Sequence, residues 1–253
     1  MLRTEQLTLR IAGRTLCDRL NVTFNAGENW VILGANGSGK TTLLHALAGL
    51  RPPDAGSVLL DGAPINTLSA RQRARHLGVL FQDSESSFPV TVSETVLTGR
   101  YPRLAQWQWE TAEDYQAAEA ALAAVDLAGF AARPLATLSG GERRRVEIAT
   151  LLAQDAPLCL LDEPTNHLDL HHQVRILECL AHRARQAGHL NLFVLHDINL
   201  AARIGTHGLL LFDNGDWLHG PLSALLTRSH LERLYHCRLR EIHDGNTRWY
   251  VPD

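Results

Sequence analysis

The chain has 253 residues, 45% of them hydrophobic and 20% charged, and its formal net charge is −3 at pH 7. This composition is that of a folded globular protein long enough to bury a large core, and the slightly acidic balance argues against a nucleic-acid partner. No segment reaches the roughly 18–20 consecutive apolar residues of a membrane span, the N-terminus lacks the apolar core of a signal peptide, and the four scattered cysteines are typical of a reducing cytosol.

Strands followed by a glycine-rich loop are predicted at the start of the chain. Apolar and polar residues alternate over 2–24 around a turn at Gly13, and a short apolar run at 28–33 predicts a buried strand. Residues 34–41, GANGSGKT, match the pattern G-x-x-x-x-G-K-[ST] ahead of a predicted helix. Glycines let backbone N–H groups wrap phosphates, and the helix directs its partly positive end at the same anion.

This loop predicts a nucleotide cradle. Lys40 is expected to reach the β- and γ-phosphates of a bound nucleotide, and Thr41 to offer its hydroxyl to Mg²⁺. The nucleotide-binding residues predicted in this segment are Gly34, Asn36, Gly37, Ser38, Gly39, Lys40, Thr41 and Thr42.

The rest of the chain alternates strands with helices around one helical insertion. Asp61-Gly62 marks a hairpin turn, residues 69–76 predict a short basic helix, and 77–81 predict a buried strand. An Ala-rich stretch at about 93–133 predicts an inserted helical subdomain, and residues 223–253 predict a C-terminal extension of two short helices and a strand pair. The elements predicted after position 138 are strands at 158–162, 190–195 and 208–212 and helices at 141–154, 170–187 and 197–203. This alternation predicts an α/β fold with a mainly parallel sheet covered on both faces.

An apolar strand at 158–161 ends in two carboxylates, Asp162 and Glu163. Such a strand end alone is common and marks only a strand leaving the core. Together with the glycine-rich loop it predicts a site, because ligands bind where the strands of a parallel sheet end. Asp162 is expected to hold Mg²⁺, and Glu163 to polarise the water that attacks the γ-phosphate.

A second anion-binding helix start is predicted at residues 138–142, LSGGE. A serine cap followed by two glycines leaves backbone N–H groups open to an anion. Since one cradle already lies at 34–41, this second start implies either a second phosphate donor or a second copy of the chain facing the first.

These motifs resemble the nucleotide-binding subunit of an ABC transporter, and the resemblance covers nearly the whole chain. The segments stand in the family's order, namely GANGSGKTT, LGVLFQD with Gln82, LSGGE, LCLLDE, residues 166–169 and LFVLHD with His196. The resemblance implies a P-loop ATPase fold with ATP and Mg²⁺ as ligands. It also implies one domain over 1–253, in which about 1–92 and 134–222 form the core with an N-terminal antiparallel β part.

The resemblance also implies roles for individual residues. Gln82 would touch Mg²⁺ and relay the nucleotide state to a membrane partner, Glu163 would act as the general base, and His196 would orient the attacking water. The residues that would complete the site across a dimer of two copies are Ser139, Gly140, Gly141, Glu142 and Asp169.

Two positions depart from the family's common pattern. Glu142 stands where many members have Gln, which is a frequent variant. Ile11 falls on the first-strand position where the family usually has an aromatic residue that stacks on adenine, and Arg14 is the alternative stacking residue. The aromatic contact that would favour ATP over GTP is therefore missing from this position.

The segments FPVTVSETVLTGRYPRL and LDLHHQ are similar to those of importers of iron–siderophore complexes, haem and cobalamin. This resemblance implies separate transmembrane permease subunits contacted near residues 83–103 and a periplasmic or surface binding protein that acts indirectly. It further implies a peripheral position on the cytoplasmic face of the inner membrane. The choice among the three cargoes stays open.

Other clusters have simpler interpretations. His167, His171 and His172 could form a metal site with Asp169, but an exposed helix and the motif order explain them better. The run Arg143–Arg145 favours a solvated helix face over nucleic-acid binding.

Trp107 and Trp109 favour packing or membrane-subunit contacts over a ligand site.

Three other ATPase classes compete with the importer interpretation. A DNA-repair or chromosome-organising relative carries a long coiled coil between the glycine loop and LSGGE, where this chain has only residues 42–137. Translation-associated relatives carry two tandem ATPase domains, and a small-molecule P-loop kinase leaves LSGGE and His196 unexplained.

Overall fold

The computed structural model describes residues 1–82, 89–105, 107–245 and 247–253. The strands formed by these residues are β1 (Leu2–Ile11), β2 (Arg14–Phe24), β3 (Asn29–Gly34), β4 (Ala55–Leu60), β5 (Ala63–Pro64), β6 (Leu77–Leu80), β7 (Leu158–Asp162), β8 (Leu190–Val194), β9 (His207–Leu211), β10 (Trp217–Pro221), β11 (Leu239–Asp244) and β12 (Thr247–Pro252). The α-helices are α1 (Lys40–Leu47), α2 (Ala70–His76), α3 (Val92–Leu97), α4 (Ala112–Ala124), α5 (Gly140–Gln154), α6 (Leu170–Ala187), α7 (Ile198–Ile204), α8 (Leu222–Leu225) and α9 (Arg228–Tyr235).

Two sheets form the body of the fold. One has six strands in the order β10-β9-β3-β8-β7-β6, and every neighbouring pair in it except β10–β9 runs parallel. The other is antiparallel in the order β2-β1-β4-β5, and the turn predicted at Asp61-Gly62 joins β4 to β5. The predicted α/β class, with a mainly parallel core sheet and an N-terminal antiparallel part, is confirmed.

Strand β3 is buried on both faces of the parallel sheet. Val31 and Leu33 pack into the apolar core that also contains side chains of α3 to α9. Trp30 and Ile32 pack into a second core with α1 and the antiparallel sheet. Because alternate side chains of a strand point to opposite faces, a strand covered on both sides needs a continuous apolar run.

The segment from α3 to α4 contains a buried ion pair. Arg100 Nε lies 2.8 Å from Asp114 Oδ1, and their side chains are 9% and 6% exposed. Trp107 and Trp109, in contrast, are 91% and 86% exposed. The packing interpretation of these two tryptophans is therefore wrong.

The C-terminal extension packs on α7. The side chain of Asn199 donates from Nδ2 to the Tyr250 carbonyl oxygen over 3.1 Å and accepts from the Tyr250 backbone N–H at Oδ1 over 2.9 Å. It thus pairs with the Tyr250 backbone as a neighbouring strand would. The two short helices and the strand pair predicted here are present as α8, α9, β11 and β12. Strand β10 has no counterpart among the predicted elements, because its Gly220-Pro221 end has the composition of a loop.

No helix within the described residues combines the length and the apolarity needed to cross a membrane.

Candidate functional site

The carboxyl ends of the parallel strands border a cleft of about 670 Å³. Strand β3 leads into the loop 34–39 and helix α1, and β7 ends at Asp162. The predicted site residues that line this cleft are Asn36, Gly37, Gly39, Lys40, Thr41, Thr42, Gln82, Glu163 and His196. The fold thus brings the glycine-rich loop and the proposed water-activating residues together, at the sheet edge where such ligands bind.

Glycine is required at both ends of this loop. Gly39 precedes α1 with a φ of +100°, in the left-handed region that side chains disfavour. A Cβ at Gly34 would lie 2.4 Å from Ser38 Oγ and 2.8 Å from the Leu211 carbonyl oxygen. The loop therefore has its tight shape because these two positions carry no side chain.

Lys40 braces the loop from within. Its Nζ donates to the carbonyl oxygens of Gly34 over 2.8 Å and Ala35 over 3.0 Å. Burial lowers the pKa of Lys40, and the carboxylates of Glu163 and Asp162 oppose that shift. The contact of Lys40 with nucleotide phosphates stays a prediction.

Asp162 is fully buried, and neither of its carboxylate oxygens has a hydrogen-bond partner among the described residues. Burial raises the pKa of Asp162, while the nearby Thr41 hydroxyl and Lys40 ammonium lower it. A buried carboxylate without partners is costly unless a cation neutralises it. Because Mg²⁺ prefers oxygen ligands, the carboxylate of Asp162 beside Thr41 fits this ion.

Glu163 is held by two side chains. Its Oε1 lies 2.5 Å from His196 Nε2, and Asn166 Nδ2 donates to its Oε2 over 2.5 Å. Burial raises the pKa of Glu163, but the contacts with Asn166 and His196 together outweigh burial and lower it. The Glu163 backbone has a φ of +47°, which non-glycine residues adopt where their surroundings fix it. The result is an ionised carboxylate in a fixed position at the cleft wall.

Asn166 carries no predicted role, although it lies in the quoted run 166–169. The backbone N–H of Asn166 donates to the Glu163 carbonyl oxygen over 3.2 Å, and this hydrogen bond closes a turn. The signal in the sequence is an amide side chain three residues after a carboxylate at a strand end. A turn over these residues brings the two side chains together, so the contact of Asn166 with Glu163 could have been predicted.

Helix α5 begins at a capping box between Ser139 and Glu142. The Ser139 amide and hydroxyl donate to Glu142 Oε2 over 2.7 and 2.8 Å, and the Glu142 amide donates back to Ser139 Oγ over 3.3 Å. This arrangement confirms the predicted serine cap and gives Glu142 a structural role. At Gly141 a Cβ would lie 2.8 Å from the His167 carbonyl oxygen, so the helix start needs glycine for this close approach.

The residues predicted to act across a dimer lie outside the cleft described above. Among the described residues, neither 139–142 nor Asp169 lines it. Asp169 instead caps α6, where its Oδ1 accepts the His172 amide over 2.9 Å and lies 2.9 Å from His172 Nδ1. No group of three or more His, Cys, Asp or Glu side chains in the described part of the chain is placed to hold a metal ion.

The prediction of a solvated face for Arg143–Arg145 is wrong for the middle residue. Arg143 is exposed, but Arg144 is only 3% exposed and donates into the protein interior. Arg145 is partly buried and donates to the carbonyl oxygens of Val125 and Asp126. The side chain of Arg144 turns inward because backbone carbonyl groups at the strand ends accept its N–H groups.

The end of the cleft next to β1 is formed by Ile11 and Arg14, and no Phe, Tyr or Trp is among the described residues that line the cleft. Arg14 Nη2 donates to the carbonyl oxygen and to Oδ1 of Asp213, each over 3.0 Å, and its Nη1 donates to the Gly37 carbonyl over 3.4 Å. Asp213 is held in turn by His236, whose Nε2 lies 2.7 Å from Oδ2. Arg14 is thereby fixed beside the glycine-rich loop.

The family model described as ABC transporter matches residues 17–166. The chain belongs to the ABC transporter family. The ferric enterobactin transport ATP-binding protein of Escherichia coli is 38% identical over 243 residues, which span 96% of this chain and 90% of that protein. ABC transporter subunits of this kind bind and hydrolyse ATP, and so does this chain.

Solved ABC structures share the fold. A metal-chelate type ABC transporter in an inward-facing conformation matches with a TM-score of 0.85 and 29% identity, over 99% of this chain and 96% of that chain. A dimeric bacterial ABC transporter cassette matches with a TM-score of 0.77 and 28% identity, over 88% of this chain and 99% of that chain. The relatives give no support to the alternative of a DNA-repair or translation-associated ATPase.

Proposed function

We propose that this ABC ATPase powers the import of a metal chelate through separate permease subunits, with two copies of the chain enclosing two ATP molecules. One observation carries the dimer: the cleft is lined by the glycine loop, Glu163 and His196, yet Ser139 and Gly141 are not among the described residues that line it. A second anion-binding helix start then serves the cleft of a partner copy. The import direction and the cargo class follow the ferric enterobactin and metal-chelate relatives.

In the proposed site, the chain's own residues bind and orient the nucleotide and the attacking water. The glycine loop and Lys40 hold the phosphates, and Thr41, Gln82 and Asp162 hold Mg²⁺. When bound, Mg²⁺ neutralises charge on the β- and γ-phosphate oxygens. Glu163 takes a proton from the attacking water, because its carboxylate lines the cleft and is held there by His196 and Asn166.

His196 and Asn166 hold Glu163 in its position from two sides. His196 also lines the cleft, so it is placed to donate a hydrogen bond to the γ-phosphate. This bond would stabilise the negative charge that develops on the phosphate oxygens during hydrolysis. From the partner copy, Ser139, Gly141 and Asp169 complete the pocket. ATP then joins the two copies, and hydrolysis replaces it with products that let the dimer open.

The base of the nucleotide meets Ile11 and Arg14 in this proposal. Ile11 supplies an apolar contact, and the planar guanidinium of Arg14 supplies the flat face that an aromatic side chain would otherwise give. Asp213 and Gly37 fix the position of Arg14, so the guanidinium loses little conformational freedom when the base binds.

The permease surface is proposed near residues 83–103, beside Gln82, and of these residues 83–88 lie outside the described part of the chain. The exposed Trp107 and Trp109 extend this surface, because large apolar side chains in solvent are typical of protein contacts. The helical subdomain at about 93–133 would then carry the permease contact. Docking there places the chain peripherally on the cytoplasmic face, with a binding protein on the other side of the membrane acting indirectly.

Uptake in living cells tests the importer proposal. In a strain lacking this gene, we expect uptake of one radiolabelled chelate, among a ferric siderophore, haem and cobalamin, to be lost. The wild-type gene should restore that uptake, whereas Glu163→Gln should not. Unchanged uptake of all three compounds in the deletion strain, with ATP hydrolysis by the purified chain intact, would contradict import of a metal chelate.

A further inference from the structure

Arg144 joins three elements of the fold through one buried guanidinium. It lies on α5, and its side chain is 3% exposed. Nη1 donates to the Phe81 carbonyl oxygen over 2.6 Å, and it lies 2.8 Å from Glu147 Oε2. Nη2 donates to the carbonyl oxygens of Asp162 and Glu163, each over 2.8 Å.

The carbonyl groups that accept these bonds belong to the backbone beside the proposed reacting groups. Phe81 directly precedes Gln82, Asp162 ends strand β7, and Glu163 directly follows it. Glu163 has the left-handed φ of +47°, and its amide donates to the Val194 carbonyl over 3.1 Å. A non-glycine residue keeps such a backbone only where neighbours fix it, and Arg144 shares this role with the contacts to Val194 and Asn166.

Arginine suits this position because of its shape. Its planar fork carries several N–H donors in fixed directions, so one side chain can serve three carbonyl oxygens at once. Lysine would bring one rotating ammonium group, and glutamine is shorter and uncharged. Neither can bridge the ends of β6 and β7 in the same way.

We propose that Arg144 is a positioning residue that couples the start of α5 to Gln82 and Glu163. The same helix presents Ser139 and Gly141 at its first turn, so a shift of α5 moves the backbone of the base through Arg144. When the partner's nucleotide binds at the start of α5, the movement of the helix thereby aligns the general base Glu163 at the chain's own site. This inference rests on the proposed cross-dimer site and on the base role of Glu163.

The variants Arg144→Gln and Arg144→Lys test this coupling in the full chain, with Arg185→Gln as a matched control. Arg185 is exposed on α6 and lies outside the cleft. For Arg144→Gln we expect kcat to fall by about 100-fold, the effect of a roughly 1 Å misplacement. The dissociation constant for Mg-ATP, measured by fluorescent-nucleotide titration of the isolated chain, should stay at the wild-type value. Arg144→Lys should recover part of kcat, and the control should match wild type in both measurements.

Two outcomes overturn the inference. Arg144→Gln could turn over as fast as Arg185→Gln, or its loss of turnover could be matched by an equal loss of nucleotide binding, as a general folding defect would produce. If Arg144→Gln does not fold, Arg144→Lys replaces it in the test, and a wild-type kcat in Arg144→Lys would overturn the inference. Glu163→Gln, measured in parallel, separates the two proposals: normal turnover there overturns the base role and this coupling together, whereas its inactivity beside a normal Arg144→Gln overturns the coupling alone.

Discussion

Glu163 Oε1 and His196 Nε2 lie 2.5 Å apart at the wall of the nucleotide cleft. Asn166 holds the other oxygen of the same carboxylate over an equal distance. The carboxylate is therefore held from two sides at the cleft wall, as the positioning of a general base for water attack requires.

Replacing Glu163 by glutamine should remove the base while keeping the size of the side chain and an oxygen that accepts from Asn166. We expect turnover to fall by about 10²–10⁴-fold, the usual contribution of a positioned base. ATP should still join two copies, so light scattering should detect a dimer in Mg-ATP that persists. Turnover near the wild-type rate would remove Glu163 from this role.

Asn166→Ala tests the second contact of the carboxylate. Loss of a hydrogen bond to a charged group costs about 1.5–3 kcal/mol, so we expect kcat to fall by about 10-fold or more. Affinity for Mg-ATP should be unchanged, because Asn166 does not line the cleft. Equal turnover in Asn166→Ala and wild type would show that His196 alone suffices to position Glu163.

The nucleobase contact predicts opposite effects for two substitutions. Ile11→Tyr adds an aromatic face, and stacking on a base is worth about 1–3 kcal/mol, so ATP affinity should rise by about 5-fold or more. Arg14→Ala should weaken ATP binding, whereas Arg10→Ala, on the neighbouring strand β1 and outside the cleft, should not. Calorimetric titration measures all three, and an affinity that none of them changes would place the base elsewhere.

The buried pair of Arg100 and Asp114 should stabilise the helical insertion. The Thr111 amide and then Arg100 lower the pKa of Asp114, so its stabilisation is present above the unfolded-state pKa of about 3.9 and is lost as pH falls further. Asp114→Asn leaves Arg100 buried without its counter-ion, which should cost about 3–5 kcal/mol at pH 7.

Urea unfolding at several pH values measures this cost. The difference between wild type and Asp114→Asn should be largest near neutral pH and shrink below about pH 4. Glu113→Gln, at the exposed neighbouring position, is the control and should leave stability nearly unchanged. A difference that does not depend on pH would mean that the carboxylate charge contributes nothing.

Sequence patterns predict the glycine loop and the strand-end carboxylates well, because their chemistry requires particular residue types at fixed spacing. The parallel sheet follows from the continuous apolar runs, since strands covered on both faces need them. Arg144 could not be predicted in the same way. A run of three arginines shows no difference among its members, and only the arrangement of β6, β7 and α5 decides which one turns inward.

Local features with an ambiguous composition also escaped prediction. Strand β10 ends in Gly-Pro, and it is a strand only because β9 offers an unpaired edge. For Trp107 and Trp109 the sequence left packing and membrane-subunit contact as alternatives, and the structure excludes packing because their side chains lie in solvent. Hydrophobicity alone cannot separate a core residue from a contact surface.

A mixing experiment with two inactive variants asks whether each pocket is shared between two copies. Lys40→Ala damages the cradle and Ser139→Arg damages the helix start, so neither variant should turn over alone. In a mixed dimer, the intact cradle of one copy faces the intact Ser139 of the other, and one complete site returns. Because random pairing makes about half of the dimers mixed, about a quarter of wild-type ATP turnover should reappear if the sites act independently. A mixture that stays as inactive as its two components would contradict the shared pocket.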